Sequence, residues 1–157
     1  MPANRLAIET SLATGLRIGD VLALHTDQVR RGRFTIKEQK TGKRRRLTLP
    51  KELQLALLQQ AGRVFVFEHR TDQFRHRTRQ AVWADLHRAA KFFRLPKRLV
   101  VSPHSARKIY AVSRFQSTGS LQRVQELLNH SDEAVTVLYA LADQLTARKM
   151  RHGRHGP

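Results

Sequence analysis

Apolar and polar positions repeat along this chain with two different periods, and the switches between them mark out its elements. From Ala3 to Ala13 the residues Leu6, Ala7 and Thr10 share one helical face, and Gly15 interrupts the pattern. Ile18 to Leu24 predicts a second, short apolar helix, so Arg17 falls at a helix junction. Arg33 to Lys37 and Arg45 to Leu49 alternate as strands do, with Lys40-Thr41-Gly42-Lys43 as the turn between them and Pro50 as the stop. A Leu-rich helical period resumes from Lys51 to Ala61, and Val64 to Phe67 predicts a short buried strand. A basic segment, His69 to Arg79, leads into a helix from Thr78 to Phe93 that carries Trp83, Leu86 and Phe92.

The later half is helical. Ser102-Pro103 is a start signal, with serine as cap and proline in the first helical position, and Gly119 ends that helix after Thr118. Ser120 caps a helix through Leu128, and Ser131 caps another with Asp132 and Glu133 in its first turn, where the helix dipole favours them. The expected fold class is α+β: mostly α-helical, with a small antiparallel β-hairpin. At 157 residues the chain is expected to form one domain over 1–147, followed by a basic, glycine-containing tail over 148–157.

Charge narrows the function. Thirty Lys+Arg against 12 Asp+Glu give a net charge of +18, and on a domain this small the excess must form a patch suited to a polyanion. Ribosomal and membrane-surface proteins reach similar charge. The absence of cysteine excludes disulfides and thiolate metal sites. No signal peptide or membrane-length apolar stretch is seen, so the expected setting is cytoplasmic, with no membrane partner.

Candidate chemistry sits on a few cations and one late tyrosine. His104 and Arg107, three apart near a helix start, share a face where exposed N–H groups suit a phosphate; a plain solvent-facing pair is the other reading. Asp20, one turn beyond Arg17, can hold its guanidinium from behind and fix the fork for bidentate phosphate contact, or the two form an ordinary surface pair. Lys40 and Lys43 flank the Thr-Gly turn, with Arg44, Arg45 and Arg46 behind them. Such a finger fits a nucleic-acid groove, and a desolvated lysine there can donate a proton; a solvated charge run is the bland alternative. His130 at a helix end reads as a cap or surface residue when taken alone. Tyr139 in an apolar helix reads as core, and Tyr110 as packing.

The ordered set resembles the tyrosine recombinases, the phage integrase family. Ala13-Thr14-Gly15-Leu16-Arg17-Ile18-Gly19-Asp20-Val21-Leu22-Ala23-Leu24 is similar to their first arginine box, and Lys40-Thr41-Gly42-Lys43 to their β-hairpin lysine motif. Pro103-His104-Ser105-Ala106-Arg107-Lys108 resembles the H-x-x-R box, and Leu127-Leu128-Asn129-His130-Ser131 resembles L-L-G-H-S, after which Tyr139 falls at the nucleophile's position. Asn129 stands where glycine is usual, a place asparagine tolerates in left-handed conformation.

The resemblance implies roles. Arg17 and Arg107 bind the non-bridging oxygens of the scissile phosphate, and Tyr139 attacks phosphorus to give a 3′-phosphotyrosyl link. Lys40 protonates the departing 5′-oxygen, His104 assists as acid or base, His130 donates a hydrogen bond to the phosphate, and Asp20 orients Arg17. It further implies double-stranded DNA as partner, a homo-oligomer (a tetramer on DNA), and neither metal nor other cofactor. Arg75, Arg77, Arg79 and Arg88, around the Thr78–Phe93 helix, are candidate DNA contacts together with Lys43, Arg44, Arg45 and Arg46. The chain starts about a dozen residues before the first arginine box, so a catalytic domain alone is expected, with a possible partner supplying the DNA-clamping domain. A non-catalytic DNA-binding regulator and a type IB topoisomerase-like enzyme are the rival readings.

Overall fold

A computed structural model describes residues 2–96 and 101–128. Helix α1 (Pro2–Thr14) is followed by two five-residue helices, α2 (Ile18–Leu22) and α3 (Thr26–Arg30), and then by strands β1 (Arg33–Lys37) and β2 (Arg44–Thr48). Helices α4 (Lys51–Gln60), α5 (Arg79–Phe92), α6 (Pro103–Thr118) and α7 (Leu121–Leu128) complete the described elements. The class is therefore mostly helical with one small two-stranded antiparallel sheet. Among the described residues no helix is long and apolar enough to cross a membrane.

The chain divides into two compact units, residues 1–110 and 111–157. In the first, Leu16, Val21, Leu22, Leu24 and Val29 from the early helices are buried with Phe34, Ile36, Leu47 and Leu49 of the hairpin and with Leu57, Phe67 and Val82. Each such side chain contributes about 1.5–3 kcal/mol when fully buried, which fixes the helical layers against the hairpin. In the second, α7 buries Val124 and Leu128, and Ser120 caps it, accepting from Arg123 N–H at 3.3 Å. Gly119, at φ +63°, turns the chain out of α6.

Register follows from side-chain alternation. Arg33 pairs with Thr48, Ile36 with Arg45 and Lys37 with Arg44, so Phe34, Ile36 and Leu47 point into the core. The expected Val64–Phe67 strand is corrected to isolated bridges: His25 pairs with Phe65, and Glu68 with His76. Thr26 N–H donates to Val64 O at 3.0 Å and Val66 N–H to Leu24 O at 2.9 Å, but the partner segment enters α3 at Thr26, so the ladder cannot lengthen. Helix α3 itself carries one buried apolar residue, Val29, too few to produce a period. The helix expected after Ser131 and the tail over 148–157 lie outside the described residues.

Candidate active site

The site starts from the junction between α1 and α2, which hydroxyl side chains wire in place. Gly15 adopts φ +68°, and its N–H closes α1 on Ser11 O at 2.8 Å. Ser11 Oγ donates to Leu16 O at 2.7 Å, and Thr14 Oγ1 accepts from Leu16 N–H at 3.3 Å. Arg17 follows in extended conformation as the N-cap of α2, buried despite its charge.

Arg107 reaches the same junction from the second turn of α6. It is buried, and its Nη1 donates to Gly15 O at 2.5 Å, across 92 residues of sequence. His104, three residues earlier at the exposed start of α6, borders a cleft of about 420 Å³ lined also by Ile18, Arg79, Gln80, Trp83, Ser102 and Pro103. Lys40 lies exposed on the hairpin turn. The turn is tethered to α2, because Gln39 N–H donates to Asp20 Oδ1 at 2.8 Å. The structure thus brings Arg17, Arg107 and Asp20 to one junction and sets the Lys40 turn against it. His130 and Tyr139 lie outside the described residues.

Two further side chains belong to this cluster. Glu38 is fully buried and accepts from Arg17 Nη1 at 2.8 Å through Oε2, while its Oε1 stands 3.8 Å from Arg45 Nη1. Arg45 corrects an expectation: the sequence grouped it with the solvent-facing basic run, yet its side chain turns inward. Its Nη2 donates to Thr14 O at 2.5 Å, and its guanidinium also hydrogen-bonds the buried Tyr110 hydroxyl. Strand alternation is the reason, since Arg45 shares parity with Leu47 and Leu49 whereas Arg44 and Arg46 are exposed. The same parity on β1 aligns Glu38 with Phe34 and Ile36, the signal that sequence reading missed. A carboxylate aimed at the core demands cations, and here it finds two.

The electrostatics follow from burial. Desolvation pushes the Arg45 guanidinium down from its ordinary value, and Tyr110, Glu38 and Asp20 pull it back. Asp20 is raised above the ordinary 3.8, first by burial; the Gln39 N–H opposes this, the Glu38 charge adds to it, and Arg17 and Arg107 oppose it. With the folded-state value the higher one, protonated Asp20 favours the fold below the ordinary value, and that contribution is lost as pH rises through the raised one. Asp20→Asn removes this titration. In urea unfolding, its stability relative to wild type is expected to rise as pH increases above the ordinary carboxylate value of 3.8.

Three guanidiniums, Arg17, Arg45 and Arg107, face two carboxylates, Asp20 and Glu38, which leaves a surplus of positive charge suited to a phosphodiester. Among the described residues no cluster of three or more His, Asp or Glu is placed to hold a metal ion. Of the remaining basic candidates, Lys43, Arg44, Arg46, Arg75 and Arg79 are exposed and Arg77 is half-buried; Arg88 is exposed and ion-paired with Asp85.

Known proteins resemble this chain in sequence and fold. The chain is 27% identical to the tyrosine recombinase XerD of Pseudomonas putida over 164 residues, covering 98% of the chain and 54% of that protein. It is 30% identical to XerD of Lacticaseibacillus casei over 150 residues, covering 87% of the chain and 49% of the relative. The chain thus spans about half the length of the curated relatives it matches. Its fold is that of XerH site-specific recombinase, solved bound to a palindromic difH substrate, at TM-score 0.68 and 22% identity over 94% of the chain and 44% of the other. XerA recombinase superposes at TM-score 0.66 and 20% identity, over 98% of the chain and 58% of XerA. With residues 2–145 matching the phage integrase family, the chain belongs to that family.

Proposed function

We propose that this chain is the catalytic portion of a site-specific DNA recombinase, with residues 1–147 as the catalytic domain and 148–157 as a basic tail. The observation that carries the reading is the meeting of Arg17 and Arg107 at the Gly15 junction, two buried guanidiniums held by backbone and carboxylate partners. Buried, oriented cations stabilise charge that develops on a phosphate far better than mobile surface ones.

In this reading, Arg17 and Arg107 hold the non-bridging oxygens and His130 adds a hydrogen bond. The Tyr139 oxygen forms a bond to phosphorus as the bond to the 5′-oxygen breaks. His104 takes part in the tyrosine's proton loss, and Lys40 delivers a proton to the leaving 5′-oxygen. Religation runs the same steps backward with a different 5′-hydroxyl, so the phosphoester bond is conserved without a nucleotide cofactor.

Structural neighbours solved in complex with DNA support DNA as the partner, and the assembly in this reading is a tetramer that exchanges strands pairwise. Lys43, Arg44, Arg46, Arg75, Arg77, Arg79 and Arg88 then contact the duplex. Because phosphate contacts dominate, affinity is expected to fall about 10³-fold or more between roughly 50 and 200 mM salt, measured by fluorescence anisotropy.

The decisive experiment is a nicked suicide duplex carrying a candidate recombination site. A covalent protein–DNA adduct supports the recombinase. A mobility shift without adduct on several cognate sites supports a non-catalytic binder, and relaxation of supercoiled plasmid without recombinant product supports the topoisomerase-like reading.

A further inference from the structure

Glu38 is the side chain that the chemistry above does not use, and its surroundings ask for a role. A fully buried carboxylate costs several kcal/mol to desolvate, so stability alone is a poor reason to place one there. Its Oε2 accepts from Arg17 Nη1 at 2.8 Å and from Thr41 Oγ1 at 3.2 Å, while Oε1 faces Arg45. Its backbone closes the turn that carries Lys40: Glu38 N–H donates to Lys43 O at 2.9 Å, and Glu38 O accepts from Gly42 N–H at 2.8 Å. One residue therefore grips Arg17 through its side chain and the lysine turn through its main chain. Fixing one Nη of a planar guanidinium sets the plane in which its other N–H groups point.

We propose that Glu38 is a positioning residue that locks the Lys40 turn to the Arg17 guanidinium, so that proton donor and phosphate clamp hold one register. This rests on the recombinase reading, and it adds a requirement the motifs do not contain: removing the Glu38 charge must weaken leaving-group protonation, not only phosphate binding.

The test compares full-length wild type, Glu38→Gln and Glu38→Asp on the nicked suicide duplex. Glu38→Gln is expected to keep DNA affinity within about 2-fold but to slow single-turnover cleavage by roughly 10²-fold, as misplacement of catalytic groups does, with Glu38→Asp restoring part of the rate. A substrate with a 5′-bridging phosphorothioate, whose thiolate leaves without a proton, should narrow the deficit because it bypasses Lys40. Wild-type cleavage by Glu38→Gln, or an equal deficit on both substrates, overturns the proposal. If wild type gives no adduct, the recombinase reading fails, and NMR still decides the coupling. Arg17→Lys should move the Lys40 backbone amide resonance in the wild-type background but not in Glu38→Gln; equal movement in both overturns it.

Discussion

Replacing Tyr139 by phenylalanine is expected to abolish the covalent DNA adduct on a suicide duplex while leaving duplex affinity near wild type. The substitution removes one oxygen, and in the proposed mechanism that oxygen is the atom that bonds to phosphorus. Loss of a nucleophile eliminates the covalent route, so adduct formation should fall by at least ~10⁴-fold. The chain has only one other tyrosine, Tyr110, and the structure shows why it cannot substitute. Its ring is buried against Gly15 and its hydroxyl is bonded to the inward-turned Arg45, so the phenol is committed to structure. Tyr110→Phe should accordingly retain the adduct and lose about 1 kcal/mol of stability with the hydrogen bond. Denaturing gels of the two variants read the contrast directly. An adduct that survives Tyr139→Phe and disappears in Tyr110→Phe would reverse the assignment.

Much of this site was legible in the residues before any coordinates, for a physical reason. Gly15, Arg17 and His104 sit at helix boundaries, with Arg107 in the next turn after His104, and boundaries are written in strong local signals: a helix-breaking glycine, a serine-proline start and hydrophobic periods that begin and end. The hairpin strands were legible through alternation, with β1 matching residue for residue and β2 beginning one residue earlier than expected. What escaped were features set by contacts between distant segments. Helix α3 has almost no period of its own. It is held by Thr26, whose hydroxyl donates to Gly62 O at 2.8 Å, and by Gln28, whose side chain accepts from His25 N–H at 3.0 Å. Arg45 looked like a member of a solvated charge run, and Glu38 drew no reading at all, because composition dominates that stretch. Counting parity outward from Phe34 and Leu47 would have turned both inward. The buried ion pair is thus a consequence of strand geometry acting on charged residues, and only the pairing register reveals which charge meets which.

The largest stability effect is expected at Gly15, where backbone conformation and packing both forbid a side chain. At φ +68° any L-residue other than glycine is strained, by about 1–2 kcal/mol. A methyl group placed there would also stand 2.4 Å from Tyr110 Cδ1 and 2.5 Å from Cε1, a clash that a buried ring cannot relieve without moving its neighbours. Overpacking of this kind adds about 1–3 kcal/mol, so Gly15→Ala should lose roughly 3 kcal/mol or more, a large share of the ~5–15 kcal/mol that holds a domain together. Gly119 separates the two causes: its φ is +63°, yet no heavy atom lies within 4 Å of the same added methyl, so Gly119→Ala should cost only the backbone share, about 1–2 kcal/mol. Urea unfolding measures both. Function should follow stability only at Gly15, because its carbonyl is the acceptor that holds Arg107. A displaced carbonyl re-aims the guanidinium, so Gly15→Ala should slow cleavage even at temperatures where it remains folded. Gly15→Ala unfolding at the same urea concentration as Gly119→Ala would mean that the Tyr110 ring yields freely, and the junction would then be too soft to aim either arginine.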